Sequence, residues 1–298
     1  MPKKTIFISS CNGYLGSSLY EFLRNKNFRI LRGSRSKSSN SDLEINNWKK
    51  DIKKIFKNKI DIVIYTTGLN RDSVDNIILK RDIHQKNLEE MIKESIKSGV
   101  KYFIYLSTIH VFKYQNNRSF KFDSKQNNLS PYALAHIASE KILSRYHKKN
   151  FKPIIVRVSN CFGFSKKMSK FTDKLFIHQL IRSFINQNHF HVESHYQTKI
   201  NFCPLSVFNE LIYELIIKKR KSKIYNLGVS KKFSLKDIVE LISKKIKLKG
   251  IQNFSYSFNN KNKIPKSLNI KFNLSRNISK INFNKEILRL IDYYHNLK

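Results

Sequence analysis

The sequence predicts an α/β fold, a doubly wound parallel sheet with a smaller C-terminal α/β lobe. Short apolar runs rich in β-branched residues alternate with helical patterns, and a glycine-containing turn, SSCNGYLG, joins the first run to the first helix. After about residue 165 the alternation becomes irregular. Strands that alternate with helices pair in parallel through right-handed crossovers.

Thr5 to Ser9 (TIFIS) is the first strand, and SSLYEFLRNK after the turn has helical spacing. NFRILRG then reads as a strand, NNWKKDIKKIFKNK as a helix and IDIVIYTTG as a buried strand. HQKNLEEMIKESIKSG is a long helix that stops at Gly99, a residue suited to a helix C-terminus, and KYFIYLST follows as a strand. Ser130 can cap a helix that starts with Pro131 and runs to Lys149, before the strand KPIIVRVSN. Helices at 173–187, 206–219 and 234–247 then mix with the strands KIYNLGV and NFSYSF. This organises the chain as a main domain over 1–165, with part of 200–230 returning to it, and a smaller lobe over 166–298. The lobe is expected at the carboxyl edge of the sheet, where open α/β folds bind ligands.

Hydrophobic residues make up 40% of the 298 and aromatics 12%, enough to offset the ordering entropy of a large core. No run resembles a membrane span of ~20 apolar residues, and MPKKTIFISS has too short an apolar core for a secretory signal, so a cytoplasmic address is expected. Cys11, Cys161 and Cys203 are far apart in the chain and form no CxxC pair, which fits a reducing compartment. The net charge of +37 by itself points to nucleic acid. Its distribution does not: 29 of the 58 Lys and Arg fall in residues 1–150 and 29 in 151–298, so no specific nucleic-acid partner is expected.

The stretch Ser10-Cys11-Asn12-Gly13-Tyr14-Leu15-Gly16 has the spacing of a GxxGxxG phosphate turn with Ser10 in the first glycine position. Gly13 lets backbone approach a pyrophosphate, Gly16 lets helix and strand pack closely, and the helix N-terminus adds N–H groups and partial positive charge. At the end of the second strand, Arg32-Gly33-Ser34-Arg35 contains no acid for a ribose 2′-hydroxyl and two bases for a 2′-phosphate, which favours NADP over NAD.

With this turn, YLSTIHVF and SPYALAHIASEKIL in order, the chain resembles the extended short-chain dehydrogenases/reductases of the NAD(P)-dependent epimerase/dehydratase family, on a Rossmann-type fold. DIVIYTTG is similar to the family's fourth strand, which places Thr67 and Gly68 beside the cofactor; RVSNCFG is similar to its sixth strand and following loop, and YNLG to part of its C-terminal lobe. The resemblance implies a nucleotide-sugar substrate, a homodimer and a site made of a hydroxyl residue and a YxxxK pair. Thr108 takes the hydroxyl role with Ser107 beside it, and Tyr132 is the acid/base. His136 stands where the family has Lys. An ammonium there lowers the tyrosine pKa from ~10 and binds the nicotinamide ribose; imidazole, with a pKa of ~6.5, would help a phenolate only in part at pH 7.

His110, Asn160 and Lys199 are the candidate substrate contacts. In KINFCPLSV, Ile200 and Asn201 replace the family's Arg-Asp pair before Phe202, and Lys199 offers a point charge without the guanidinium fork. His189, His191, Glu193 and His195 could ligate a metal from one strand face, but a polar loop explains the run and no metal is expected. The resemblance implies a sugar-nucleotide epimerase, dehydratase or ketoreductase in surface polysaccharide synthesis. The alternative is a cofactor-binding sensor or partner subunit with impaired catalysis.

Overall fold

A computed structural model describes residues 3–34, 42–45, 48–68, 77–113, 119–147, 150–168, 172–218, 223–259, 267–276 and 280–297. Arg35 lies outside the described residues. The first half builds a parallel sheet from β1 (Lys4–Ile8), β2 (Phe28–Ser34), β3 (Leu43–Glu44), β4 (Ile62–Tyr65) and β5 (Tyr102–Thr108). Between them run α1 (Tyr14–Leu23), α2 (Trp48–Phe56) and α3 (Ile77–Lys97). Strands β4 and β5 are almost entirely buried, which is why they read as unbroken apolar runs: helices cover both faces of the sheet.

The chain continues through β6 (Ser119–Phe120), α4 (Pro131–Arg145), β7 (Lys152–Val158), β8 (Asn160–Phe162) and α5 (Phe176–Ile185). Ser130 caps α4 as its sequence predicts, its hydroxyl accepting from the Ala133 N–H, with Pro131 in the first turn. Then follow β9 (His189–Val192), β10 (Lys199–Ile200), β11 (Phe202–Pro204), α6 (Leu205–Ile217), β12 (Ile224–Val229), β13 (Phe233–Ser234) and α7 (Leu235–Lys247). The last elements are β14 (Ser255–Phe258), β15 (Asn269–Ile270), β16 (Leu274–Arg276) and α8 (Lys280–His295).

The main sheet has eight strands in the order β3-β2-β1-β4-β5-β7-β12-β16, all parallel. Strands 224–229 and 274–276 therefore rejoin the sheet from within the C-terminal half. One apolar core, with Leu19, Leu23, Phe208 and Leu211, lies under α1 and α6; a second, with Ile55, Leu88, Met91 and Leu143, lies under α2, α3 and α4. The third belongs to the smaller lobe and joins Leu180, Phe184, Ile238, Ile242, Ile287 and Ile291 of α5, α7 and α8. Helix α8 is an element the sequence reading leaves out. Phe283, Ile287, Leu290, Ile291 and Tyr294 are its buried apolar residues among those described, and their 3–4 spacing is the signal that finds it.

Candidate functional site

The turn after β1 is held from below. Ser9 Oγ accepts from the Thr66 and Thr67 N–H groups and lies 2.9 Å from Thr67 Oγ1, which ties the ends of β1 and β4 together. The Ser10 carbonyl accepts from Gly13 N–H at 3.2 Å. Gly13 is the N-cap of α1, and no side chain caps the helix and no acid stands in its first turn. Its N-terminal N–H groups suit an anion.

The two glycines have different reasons to be glycine. A Cβ on Gly16 would lie 1.9 Å from the Ser10 carbonyl oxygen, a backbone clash, whereas a Cβ on Gly13 would meet only Ser10, at 3.2 Å from Oγ. Gly16 is required by the fold; Gly13 keeps space open above the turn. Gly16→Ala should lower stability by about 1–3 kcal/mol. Gly13→Ala should fold with a urea midpoint close to wild type but bind dinucleotide at least about tenfold more weakly. Equal dinucleotide affinity in wild type and Gly13→Ala would remove the turn from the site.

Several residues expected at the cofactor face elsewhere. Tyr14 contributes only backbone: its side chain is buried, and its hydroxyl donates to the Gly163 carbonyl at 2.8 Å and lies 3.3 Å from His178 Nε2. Leu15 packs against the core under α1. Arg32 is taken by Asp42, with Nη2 donating to Oδ1 at 2.7 Å, Nε to Oδ2 at 3.2 Å and the backbone N–H to Oδ2 at 2.8 Å. Its guanidinium also covers the Tyr20 ring. The Nε–Nη2 edge of Arg32, expected at a 2′-phosphate, is thus occupied by a carboxylate ten residues away. Ser34 remains at the turn, where Asn12 Nδ2 donates to its Oγ at 2.6 Å.

Ser107 also turns inward. Its hydroxyl donates to Glu140 Oε1 at 2.6 Å, and Glu140 is clamped by Arg157 through Nη2–Oε2 at 2.7 Å and Nε–Oε1 at 3.0 Å. Arg157 Nη1 donates to the Phe122 carbonyl. Both ends of this ion pair are almost fully buried. Ser107, expected at the cofactor, has its hydroxyl proton committed to this network. The sequence reading passes over Glu140, although a carboxylate four residues after His136 on an apolar helix face marks a buried partner.

Thr108 ends β5, and its Oγ1 accepts from the His110 N–H at 3.2 Å, which leaves its own proton to donate. Tyr132 and His136 share a face of α4, their rings 4.8 Å apart and near perpendicular at 70°. A Cβ on Gly68 would stand 3.8 Å from His136 Cε1, so the end of β4 and the middle of α4 meet here. His136 Nδ1 lies 2.9 Å from the Tyr105 hydroxyl, a residue the sequence reading does not single out. Burial, with the nearby imidazoles of His84 and His110, lowers the His136 pKa to about 3. The expected partial charge at pH 7 is therefore absent: the ring is neutral because desolvation disfavours imidazolium.

Burial also lowers His84 and His178, each to about 4. These three imidazoles take up protons near pH 6.5 only when the chain unfolds, so stability is complete above that pH and falls below it. Between pH 7 and 6 the loss should be about 2 kcal/mol, read from urea midpoints. A His136→Asn, His178→Asn variant that keeps the full slope would show that these imidazoles are not the cause.

His110 Nε2 donates to Asn160 Oδ1 at 2.9 Å, and Asn160 Nδ2 donates to the Asn201 carbonyl at 3.1 Å, so two candidate substrate residues 50 positions apart are joined. Lys199 is exposed on β10, and its charge helps burial lower the pKa of Lys232. Cys161 and Cys203, distant in sequence, are register partners across β8 and β11, both free. His189 and His191 hydrogen-bond Ser255 and Ser257 across β9 and β14. Among the described residues, no three His, Cys, Asp or Glu are placed to hold a metal, and no helix is long and apolar enough to cross a membrane.

A parallel sheet whose first turn opens at an uncapped helix N-terminus, with Thr108 at the end of β5 and Tyr132 and His136 on α4, is a Rossmann-type arrangement. The chain belongs to the NAD dependent epimerase/dehydratase family, whose model matches residues 6–228. Sequence comparison finds no curated relative. Among solved structures, it is similar to UDP-glucose 4-epimerase from Thermotoga maritima with UDP-glucose, at 14% identity and a TM-score of 0.81, covering 98% of this chain and 99% of that one. UDP-N-acetylglucosamine 4-epimerase from Methanobrevibacter ruminantium M1, in complex with UDP-N-acetylmuramic acid, matches at 16% identity, a TM-score of 0.82 and 100% of both chains. RMD from Pseudomonas aeruginosa complexed with NADPH matches at 11% identity, a TM-score of 0.81 and 99% of both chains. At these identities the likeness is one of fold.

Proposed function

We propose that the chain is an NAD(P)-dependent enzyme acting on a nucleotide sugar as an epimerase, dehydratase or ketoreductase, in synthesis of a surface polysaccharide. The observation that carries this reading is that His136, with the Tyr132 ring packed against it, approaches Gly68, which directly follows the Thr66 and Thr67 N–H groups bound to Ser9 below the turn of Gly13. When bound, the dinucleotide supplies hydride donor or acceptor chemistry. Gly13 and the N-terminus of α1 would hold its phosphates, and Asn12 and Ser34 its adenosine ribose. Tyr132 exchanges the proton of a sugar hydroxyl, Thr108 holds that oxygen, and His136 donates to the nicotinamide ribose. NADP is the preferred cofactor because Ser34, without charge, ends β2 where NAD sites place an acid.

His110 and Asn160 are read as sugar contacts. Lys199 is read as a phosphate contact near the place of the family arginine, and it stands close enough to Lys232 for the two cations to repel. A homodimer in the cytoplasm completes the reading.

A titration with NADPH and NADH, followed by a screen of nucleotide sugars with product analysis, tests it. A net reduction changes bulk cofactor absorbance and an epimerisation does not. Failure to bind either dinucleotide would sink the reading.

The second reading, a cofactor-binding sensor or partner subunit with impaired catalysis, is favoured by one observation: His136, standing where the family has Lys, is buried, and burial disfavours a cation beside Tyr132. It predicts dinucleotide binding without turnover, and no turnover in His136→Lys.

A further inference from the structure

We propose that Tyr105 is a positioning residue that acts through His136: its hydroxyl donates to His136 Nδ1, sets the ring proton on Nε2 and aims a neutral N–H donor at the dinucleotide ribose. This rests on the reading of the site given above. Tyr105 sits on β5 with its side chain fully buried, and the O–Nδ1 distance is 2.9 Å. A phenol is the stronger donor and an unprotonated imidazole nitrogen the stronger acceptor, which favours a bond from oxygen to nitrogen. Burial raises the Tyr105 pKa well above its usual range, which keeps that proton on the phenol. With Nδ1 accepting, the remaining proton of a neutral ring belongs to Nε2.

The ring cannot swing freely. Tyr132 packs against it edge-on, Tyr105 holds one nitrogen, and Cε1, which joins the two nitrogens, faces Gly68. Glycine at 68 puts no side chain against that edge. The Cβ distance of 3.8 Å means an alanine would touch the ring without clashing, so the openness is not forced by the fold.

The consequence separates two tasks that an ammonium at this position would perform together. His136 keeps the task of donating to a ribose hydroxyl and gives up that of placing charge beside Tyr132. The groups facing it are Tyr132 on its own helix, Tyr105 from β5, His84 from α3 and His110 from the segment after β5. None is a carboxylate that would hold a proton on the imidazole.

The test combines imidazole ¹⁵N NMR of the ligand-free protein with dinucleotide titrations of Tyr105→Phe, His136→Lys and the double variant. The expected wild-type spectrum has His136 protonated at Nε2 and bare at Nδ1, unchanged from pH 5 to 8. Tyr105→Phe should raise the dinucleotide dissociation constant about five- to tenfold, the scale of one misplaced hydrogen bond. In the His136→Lys background the same change should have no effect, since lysine donates without the tyrosine. An effect of equal size in both backgrounds means that Tyr105 serves packing alone and overturns the proposal. Protonation at Nδ1 in wild type overturns it as well, independently of any variant that fails to fold. A wild-type chain that binds neither dinucleotide overturns the ribose role together with the reading of the site. In that case the tautomer measurement still shows whether Tyr105 orients the ring.

Discussion

Tyr132→Phe should lower turnover by about 10²–10⁴-fold, the usual contribution of a positioned general acid or base, and leave dinucleotide affinity within about twofold. The change removes one oxygen and keeps the ring that packs on His136 at 4.8 Å. Ser130 and Pro131 start α4 just before Tyr132, so the backbone that presents the phenol is set by capping and is untouched by the substitution. His136 is neutral, so the pH–rate profile of the wild type should carry no ionisation of this residue near 6.5. His136→Lys places a cation beside the phenol and should shift the profile to lower pH. Wild-type turnover in Tyr132→Phe would show that the proton moves through another group.

The second large effect is on stability. Arg157→Met leaves Glu140 buried without its partner and should destabilise the fold by about 3–5 kcal/mol. Ser107 and Gln126 still donate to Glu140, but neither carries charge. Adding Glu140→Met to Arg157→Met removes the stranded carboxylate and should recover much of the loss, as paired apolar replacements of buried ions do. Chemical denaturation of the single and double variants measures both steps. A double variant as unstable as the sum of two independent losses would mean that the pair contributes through its individual packing contacts. The prediction also reaches the site, since β5 and α4 carry Thr108 and Tyr132 and are joined here at Ser107 and Glu140.

Periodicity made most of the fold legible before any coordinates. The buried β4 and β5, the capped α4 and the turn around Gly13 and Gly16 are local features, and local sequence determines them. The same holds for the order of strands and helices, which with right-handed crossovers leaves few topologies. Helix α8 is equally legible in the apolar spacing of Phe283, Ile287, Leu290 and Tyr294.

What the sequence by itself determined is the backbone frame and the residues brought to its carboxyl edge: Thr108 at a strand end, Tyr132 and His136 one helical turn apart, glycine where a helix must approach a strand. Tertiary structure alone decided what their side chains do. Arg32 meets Asp42 across a loop, Tyr14 leaves its turn for His178, and Ser107 is drawn to Glu140 by a hydrogen bond with no local signature. Cys161 and Cys203 become neighbours only when β8 pairs with β11. The charge on His136 is beyond local sequence for the same reason: its pKa depends on burial and on the imidazoles of His84 and His110, distant in the chain, and the ring is neutral because the folded chain excludes the water that would stabilise its proton.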